Sequence, residues 1–334
     1  MSKQKVVVLD DYEMAFKSAF ETGLETSKGA QTDWSEVAAL ADVKIYTEKL
    51  SGDTLFAALE DADAIVLMRD RTPFKADLIA KLPRLKFVMF TGTRNAALDT
   101  DALHARNIPI CHTEWGPSKD STAELTWALI MAAHKRVVEQ NKLLMNGAWR
   151  DGNSLLPVLK GETLGVVGLG EIGGRVARFG QAFGMKVLTW SPNMTAARAN
   201  AAGAEFVELD ELLQRSKIVS LHLVPAATTK GLMNAERLAL MRKDSILVNT
   251  SRSALVVTAD LVDALHKGII GQAALDVYDA EPLPSGDALR ACPNLLLTPH
   301  LGFIAGPVIE AFTSGVAEGL AAWLKGEGLV RVLG

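Results

Sequence analysis

The run Thr163-Leu164-Gly165-Val166-Val167-Gly168-Leu169-Gly170-Glu171-Ile172-Gly173 constrains this chain more than any other stretch. An apolar segment ends in G-x-G-x-x-G, and a helix-forming sequence, Glu171 to Phe183, follows at once. The glycine spacing alone is weak; after a strand and at the opening of a helix it is the context of a dinucleotide-binding turn. Gly168 permits the tight turn, Gly170 lets a pyrophosphate approach the backbone, and Gly173 lets the helix pack close to the strand. The first helical turn, with Glu171 and Ile172, then offers free amides and a partial positive charge to the diphosphate.

Short apolar runs alternate with helical patterns on both sides of this turn. Before it, strands are predicted at Lys5–Leu9, Val43–Tyr46, Ala64–Met68, Lys86–Phe90 and Ile108–Cys111, with helices at Thr54–Glu60, Lys75–Lys81 and Thr100–Arg106. From Thr163 on, strands are predicted at Thr163–Gly168, Lys186–Trp190, Ile218–Leu221, Ser245–Val248, Gln272–Leu275 and Leu295–Leu297, with helices such as Ala259–Lys267 between them. Runs that are apolar at nearly every position suit strands buried on both faces, hence parallel sheets flanked by helices. The expected fold class is α/β, with two doubly wound parallel-sheet domains. A last helical segment, Gly302–Lys325, is free to return to the first of them.

A capping-box pattern, Ser121-Thr122-Ala123-Glu124, predicts the start of one long helix that runs over 121–146 to a stop at Gly147. Its first half is apolar nearly all round, which suits burial on several sides, either in the core or at an interface.

The 334 residues carry 35 Lys and Arg against 39 Asp and Glu, a net charge of −4. No electrostatic surplus is present to hold a phosphate backbone, so nucleic acid is not an expected partner. The two cysteines, Cys111 and Cys292, are too few for a disulfide framework. The opening MSKQKVVVLDDY lacks the apolar core of a signal peptide, and no apolar stretch is long enough to span a membrane. A cytoplasmic protein without membrane attachment is expected. His104, His112, His134 and His266 have no partners at metal-ligand spacing, so no metal is expected.

In a dinucleotide fold an acidic residue about 20 positions beyond the glycine turn commonly holds the adenosine ribose. Here the predicted strand ends at Trp190 and continues Ser191-Pro192-Asn193, with no carboxylate. Ser191 and Asn193 hydrogen-bond a free ribose or a 2′-phosphate equally well. The nearest arginine, Arg198, lies seven residues beyond Ser191. NAD is the expected cofactor, with NADP not excluded.

Three later segments place polar residues after apolar strands: Leu247-Val248-Asn249-Thr250-Ser251-Arg252, then Ala274-Leu275-Asp276-Val277-Tyr278-Asp279-Ala280-Glu281-Pro282, then Leu297-Thr298-Pro299-His300. With the glycine turn, His222-Leu223-Val224-Pro225 and Gly231-Leu232-Met233-Asn234, they resemble the D-isomer-specific 2-hydroxyacid dehydrogenase family. The resemblance covers nearly all of the second series and is looser in the first. It implies a Rossmann cofactor domain, residues 109–301, inserted into a flavodoxin-like substrate domain of residues 1–108 and 302–334. It also implies a homodimer built on the helix at 121–146 and the Trp149-Arg150 loop. The implied activity is hydride transfer between a nicotinamide cofactor and a D-2-hydroxy or 2-keto acid of the hydroxypyruvate, glyoxylate or 3-phosphoglycerate class.

The same resemblance implies residue roles. Arg252 binds the substrate carboxylate with a planar fork of donors and polarises the keto oxygen. His300 is the acid/base, and Glu281 favours its protonated form. Asp276 accepts from the nicotinamide carboxamide. Trp190, Ser191, Asn193, His222, Val224, Pro225, Thr250 and Ser251 line the cofactor pocket. Family members usually carry glycine after the arginine; Ser253 stands there instead. Formate dehydrogenases share the fold but replace the glutamate, so Glu281 speaks against that chemistry. Dinucleotide-sensing corepressors also share it and can keep the trio.

On the substrate side, the loop Thr91-Gly92-Thr93-Arg94-Asn95 matches the one whose amides meet the carboxylate in this family, at Gly92 and Thr93. Arg94 is an additional cation there, and Arg69 and Arg71 end another strand. Together they suit a second anionic group on the substrate; ion pairing with Asp70 or Glu114, or plain solvation, is the alternative.

Overall fold

The structure, a computed structural model, describes residues 3–22, 33–150 and 152–334. The chain divides into two compact units, one made of Met1–Pro117 with Ala305–Gly334 and the other of Ser118–Ile304. The second is thus an insertion in the sequence of the first. The break expected after residue 108 lies later, because Ile110–His112 is a strand of the first sheet with Ile110 and Cys111 fully buried. The return lies at Ala305 rather than 302, because Asp276 of the second unit holds the amides of Leu301 and Gly302.

In the first unit β1 (Gln4–Leu9), β2 (Ala41–Ile45), β3 (Ala64–Leu67), β4 (Phe87–Phe90) and β5 (Ile110–His112) form a five-stranded sheet in the order β2-β1-β3-β4-β5. Every pair is parallel, the flavodoxin-like order. All four residues of β3 and of β4 are buried, which is why these runs are apolar without alternation. The last helix, Gly306–Lys325, returns to this unit: Trp323 stacks on Phe87 at 5.2 Å, and Gly319 faces Met89, whose sulfur a Cβ would meet at 2.7 Å. It begins four residues later than expected, with Pro307 in its first turn, and stops at Gly326, φ +71°.

In the second unit β6 (Thr163–Val167), β7 (Lys186–Trp190), β8 (Glu205–Phe206), β9 (Ile218–Leu221), β10 (Ile246–Asn249), β11 (Gln272–Leu275) and β12 (Leu295–Leu297) form a seven-stranded sheet. The order is β12-β11-β10-β9-β6-β7-β8, with all pairs parallel. Successive side chains point to opposite faces, and both faces are covered. Val166, Ile218 and Val248 meet Trp127, Ile130 and Val176 on one side. Val167, Val219 and Leu247 meet Leu212, Leu238 and Leu261 on the other. The two-residue edge strand β8, not expected from the sequence, has an exposed Glu205 and no apolar run to announce it.

The single helix expected over 121–146 is two helices, Ser118–His134 and Val137–Met145, separated by Arg136 at φ +48°. The capping box is not used: Ser121 and Glu124 lie inside the first helix, and Thr122 Oγ1 donates to the carbonyls of Ser118 at 2.8 Å and Gly302 at 3.0 Å. Packing divides the pair. The first helix buries Trp127, Leu129 and Ile130 in the core of the second unit, whereas no residue of the second helix is buried. Among the described residues, no helix is long and apolar enough to cross a membrane.

Candidate active site

The strand order of the second unit reverses between β6 and β9, which pair directly. Crevices at such switch points, at the carboxyl ends of parallel strands, are where doubly wound sheets bind ligands. The glycine turn leaves β6 there. Gly168 takes φ +100°, and a Cβ would stand 2.8 Å from the carbonyl oxygen of His222. Gly173 passes so close to the turn that a Cβ would meet the oxygen of Gly168 at 2.0 Å. Gly170 caps the helix Glu171–Ala182 and faces open space, with nothing within 4 Å of where a Cβ would be. Two glycines are therefore fixed by backbone contact, and the third leaves room for a diphosphate. The Glu171 carboxylate is turned to Lys119, so its contribution to the turn is its amide.

After β7, Ser191 and Asn193 form a turn, and the Arg198 guanidinium folds back to donate to the Asn193 carbonyl at 2.9 Å. The sequence places Arg198 remote from this turn; the short helix Ala196–Ala201 brings it back. After β9, His222 Nε2 and Ser220 Oγ lie 2.8 Å apart, and burial pushes the imidazole down to about 4. Val224, on the same loop, is 83% exposed, and Ser251 Oγ donates to the Leu223 carbonyl at 2.6 Å.

β10, β11 and β12 are adjacent and parallel, so the segments that follow them leave the same end of the sheet. After β10, Asn249 organises the loop: its Nδ2 donates to the Arg252 carbonyl at 2.9 Å and its Oδ1 accepts from the Ser251 amide at 3.1 Å. Thr250 Oγ1 is 2.8 Å from Thr126 Oγ1. Arg252 is exposed, and its Nη1 donates to the Ser251 carbonyl. Ser253 opens a 3-10 turn and is not among the positive-φ residues, so its backbone does not require glycine.

After β11, Asp276 is fully buried. It accepts from Thr298 Oγ1 at 2.6 Å, the Leu301 amide at 2.8 Å and the Gly302 amide at 2.9 Å. Burial pushes its carboxyl up, and these donors pull it part of the way back. The three bonds shape the loop that carries His300, which sits at φ +55°, a backbone region sparsely used outside glycine. His300 Nδ1 meets Glu281 Oε2 at 2.7 Å, and the other oxygen, Oε1, accepts from the Tyr278 amide at 2.9 Å. The ring stands edge-on to Phe303 at 5.6 Å. A carboxylate accepts only, so Nδ1 carries a hydrogen in this contact. Thr298 and Tyr278 were not singled out in the sequence, although both stand within the runs that carry Asp276 and His300.

The substrate candidates of the first unit follow β3 and β4. Arg69, at φ +56°, is buried with its guanidinium 3.8 Å above the Trp115 ring, and its amide donates to Thr91 Oγ1 at 2.9 Å. A Cβ on Gly92 would stand 2.5 Å from Arg69 Nη1, so glycine is required for this stack. The Gly92 amide donates to Thr113 Oγ1 at 2.8 Å, and Thr93 Oγ1 accepts from Trp115 Nε1 at 2.5 Å. Arg94 is exposed. Arg71 is engaged elsewhere. It binds Glu13 through two bonds of 2.6 and 2.9 Å and the Asp10 carbonyl at 2.7 Å.

Residues 127–302 match the family model described as D-isomer specific 2-hydroxyacid dehydrogenase, NAD binding domain. A glyoxylate reductase of Aeropyrum pernix is 38% identical over 283 residues, 82% of this chain and 84% of that protein. A D-3-phosphoglycerate dehydrogenase of Mycobacterium bovis is 35% identical over 88% of this chain, which spans only 55% of that protein. Among solved structures, a phosphoglycerate oxidoreductase from Vibrio cholerae O395 has a TM-score of 0.83 and 30% identity, with 97% of this chain and 99% of that one covered.

Proposed function

Since the chain belongs to the D-isomer-specific 2-hydroxyacid dehydrogenase family, we propose that it interconverts a small 2-hydroxy acid and its 2-keto acid, with His300 as the acid/base. The observation that carries this reading is the 2.7 Å contact between His300 Nδ1 and Glu281 Oε2, made at the end of the sheet that also bears the glycine turn.

The glycine turn fits a dinucleotide: Gly168, Gly170, Ile172 and Gly173 with the Glu171 amide hold the diphosphate, and Trp190, Ser191 and Asn193 flank the adenosine ribose. His222, Val224, Pro225, Thr250 and Ser251 border the remainder. When bound, NAD supplies the hydride acceptor and its reduced form the donor. The chain's own residues handle the proton and the carboxylate. In oxidation, His300 Nε2 takes the hydroxyl proton while Glu281 keeps the ring oriented and stabilises the imidazolium. In reduction the same nitrogen returns the proton to the carbonyl oxygen. Arg252 meets the substrate carboxylate with its planar fork. Asp276 holds the His300 loop and keeps acceptor capacity for the carboxamide of the cofactor. The Glu281 partnership favours this chemistry over formate oxidation, which has no hydroxyl proton to remove.

Within the first unit, Arg69, Thr93 and Arg94 are the residues left to meet an anionic substrate group. The Gly92 amide is committed to Thr113, so Gly92 serves by leaving space for Arg69. Arg71 is neutralised by Glu13, which removes one of three cations that a second anionic group would need. The preferred substrate is accordingly of the glyoxylate or hydroxypyruvate class rather than a phosphorylated acid. With no carboxylate at 191–193 and Arg198 against that turn, NADP is accepted beside NAD. The exposed Leu144, Met145, Trp149, Leu155 and Val158 form the surface through which two copies pair as a homodimer.

The test is a panel of glyoxylate, hydroxypyruvate and 3-phosphohydroxypyruvate, each with NADH and NADPH, followed at 340 nm. Turnover of the two small acids is expected, with the phosphorylated acid slower. Cofactor binding without turnover of any of them overturns the enzymatic reading.

A further inference from the structure

Three loops of the first unit meet on one indole that has no part in the chemistry proposed above. Arg69 follows β3, Thr93 follows β4 and Trp115 follows β5. These strands are adjacent and parallel, so all three residues leave the same end of the five-stranded sheet. The Arg69 guanidinium lies 3.8 Å above the Trp115 ring, and Trp115 Nε1 donates to Thr93 Oγ1 at 2.5 Å.

The indole is itself held. Beside it, Gly116 takes φ +53° and runs so close to the last helix that a Cβ would stand 3.1 Å from the Pro307 carbonyl oxygen. The ring is tilted against the fully buried Phe312, with centroids 6.4 Å apart. Two residues earlier, Thr113 Oγ1 accepts from the Gly92 amide at 2.8 Å, which ties this segment to the loop of Thr93. The Arg69 backbone is fixed by that same loop: its amide donates to Thr91 Oγ1, and its carbonyl accepts from Asn95 Nδ2 at 2.7 Å. A Cβ on Gly92 would meet Arg69 Nη1 at 2.5 Å and Trp115 Cζ2 at 3.2 Å, so glycine there lets guanidinium and indole come together.

We propose that Trp115 is a positioning residue for substrate binding: its face sets the Arg69 guanidinium and its N–H sets the Thr93 hydroxyl. The inference rests on the reading that Arg69 and Thr93 meet the anionic group of the substrate. An arginine side chain otherwise samples many rotamers, and ordering it at the moment of binding weakens affinity. Stacking on the indole uses a face of the guanidinium, whereas a carboxylate is met by its N–H edge. The indole N–H occupies an acceptor site of Thr93 Oγ1 and leaves the hydroxyl hydrogen to donate; a hydroxyl that accepts one bond is the stronger donor in the next. Both effects act on binding rather than on proton transfer, so the indole governs KM more than kcat.

The experiment is steady-state kinetics of the full chain with glyoxylate and hydroxypyruvate at saturating NADH. Calorimetric titration with oxamate, an unreactive isostere of a 2-keto acid, runs in parallel. Trp115→Leu removes both the aromatic face and the N–H; its KM should rise about tenfold, with kcat within about threefold of wild type. Trp115→Phe keeps a ring against Phe312, so it retains the fold and loses only the N–H; its KM should rise less. The double variant Trp115→Phe/Thr93→Val should match Thr93→Val within about twofold, because the N–H acts through that hydroxyl. Trp323→Phe, at an indole of the same unit stacked on Phe87, should leave KM within about twofold. Oxamate affinity should fall in step with each rise in KM. Absence of wild-type turnover overturns the enzymatic reading alone, and the oxamate affinities then decide this inference. It is overturned by a Trp115→Leu variant whose KM, or oxamate affinity where no acid is turned over, stays within about threefold of wild type. Effects of Trp115→Phe and Thr93→Val that multiply in the double variant overturn it as well, as does a wild type that neither turns over an acid nor binds oxamate.

Discussion

His300 stands at the carboxyl end of the seven-stranded sheet and His134 at its amino end. Around His300 the neighbours are matched: Glu281 takes one nitrogen, and Asp276 fixes the loop through three bonds. Around His134, among the described residues, no carboxylate is hydrogen-bonded to the ring. Burial, then the charges on Lys135 and Lys217, hold its imidazole below the usual range, against a hydrogen bond to the Pro157 carbonyl and the charge on Glu162. On the function proposed above, His300 exchanges a proton through Nε2 while Nδ1 stays anchored to Glu281. The His134 ring is pushed toward its neutral form by burial and neighbouring lysines. The same residue type thus carries different chemistry because different partners converge on it, and neither role is visible in the residue itself.

The largest effect should come from His300→Ala. Loss of general acid/base catalysis lowers kcat by ~10²–10⁴. NADH affinity, read by fluorescence, should stay within about twofold, because the glycine turn is untouched. Wild-type turnover in this variant would erase the distinction between the two histidines.

Arg252→Lys comes next. A point charge cannot reproduce the planar fork, and hydrogen bonds to charged groups are worth about 1.5–3 kcal/mol, so kcat/KM for the keto acid should fall about 10- to 100-fold. Steady-state kinetics with unchanged constants would remove Arg252 from the site.

Asp276→Ala tests the claim that His300 is held by its loop. Two amides and a hydroxyl lose their acceptor, each unmet buried donor costing about 1–3 kcal/mol before water compensates. The expected outcome is a lower Tm together with a lower kcat. A reduced Tm with wild-type kcat would show that the three bonds serve stability alone.

The smallest effect concerns His134 and pH. A base whose folded pKa lies below its unfolded value of 6.5 favours the folded state fully above that value, and this contribution fades as pH falls toward the depressed folded pKa. Wild-type Tm should therefore drop more between pH 7 and pH 5 than that of His134→Leu. Parallel curves would show that the ring is not held neutral by its surroundings.

Much of the fold was legible because buried parallel strands must be apolar. The runs Lys186–Trp190, Ile218–Leu221, Gln272–Leu275 and Leu295–Leu297 are strands with the bounds their sequence predicts. The polar residues after them mark where backbone leaves the core. Where no apolar run exists, as at Glu205–Phe206, the strand was invisible. The helix over 121–146 was misjudged because propensity continues through Arg136 while burial stops at His134.

The sequence by itself determined the alternating α/β plan, the glycine turn and the order of polar segments behind successive strands, since each is written in neighbouring residues. Tertiary structure decided which groups meet. Arg71 pairs with Glu13 across 58 positions, Gly92 gives its amide to Thr113, Arg198 folds back on Asn193, and His134 is buried near Lys217. Periodicity reports the face a residue occupies, whereas pairing depends on side chains brought together by packing of distant elements, and no local pattern encodes that distance.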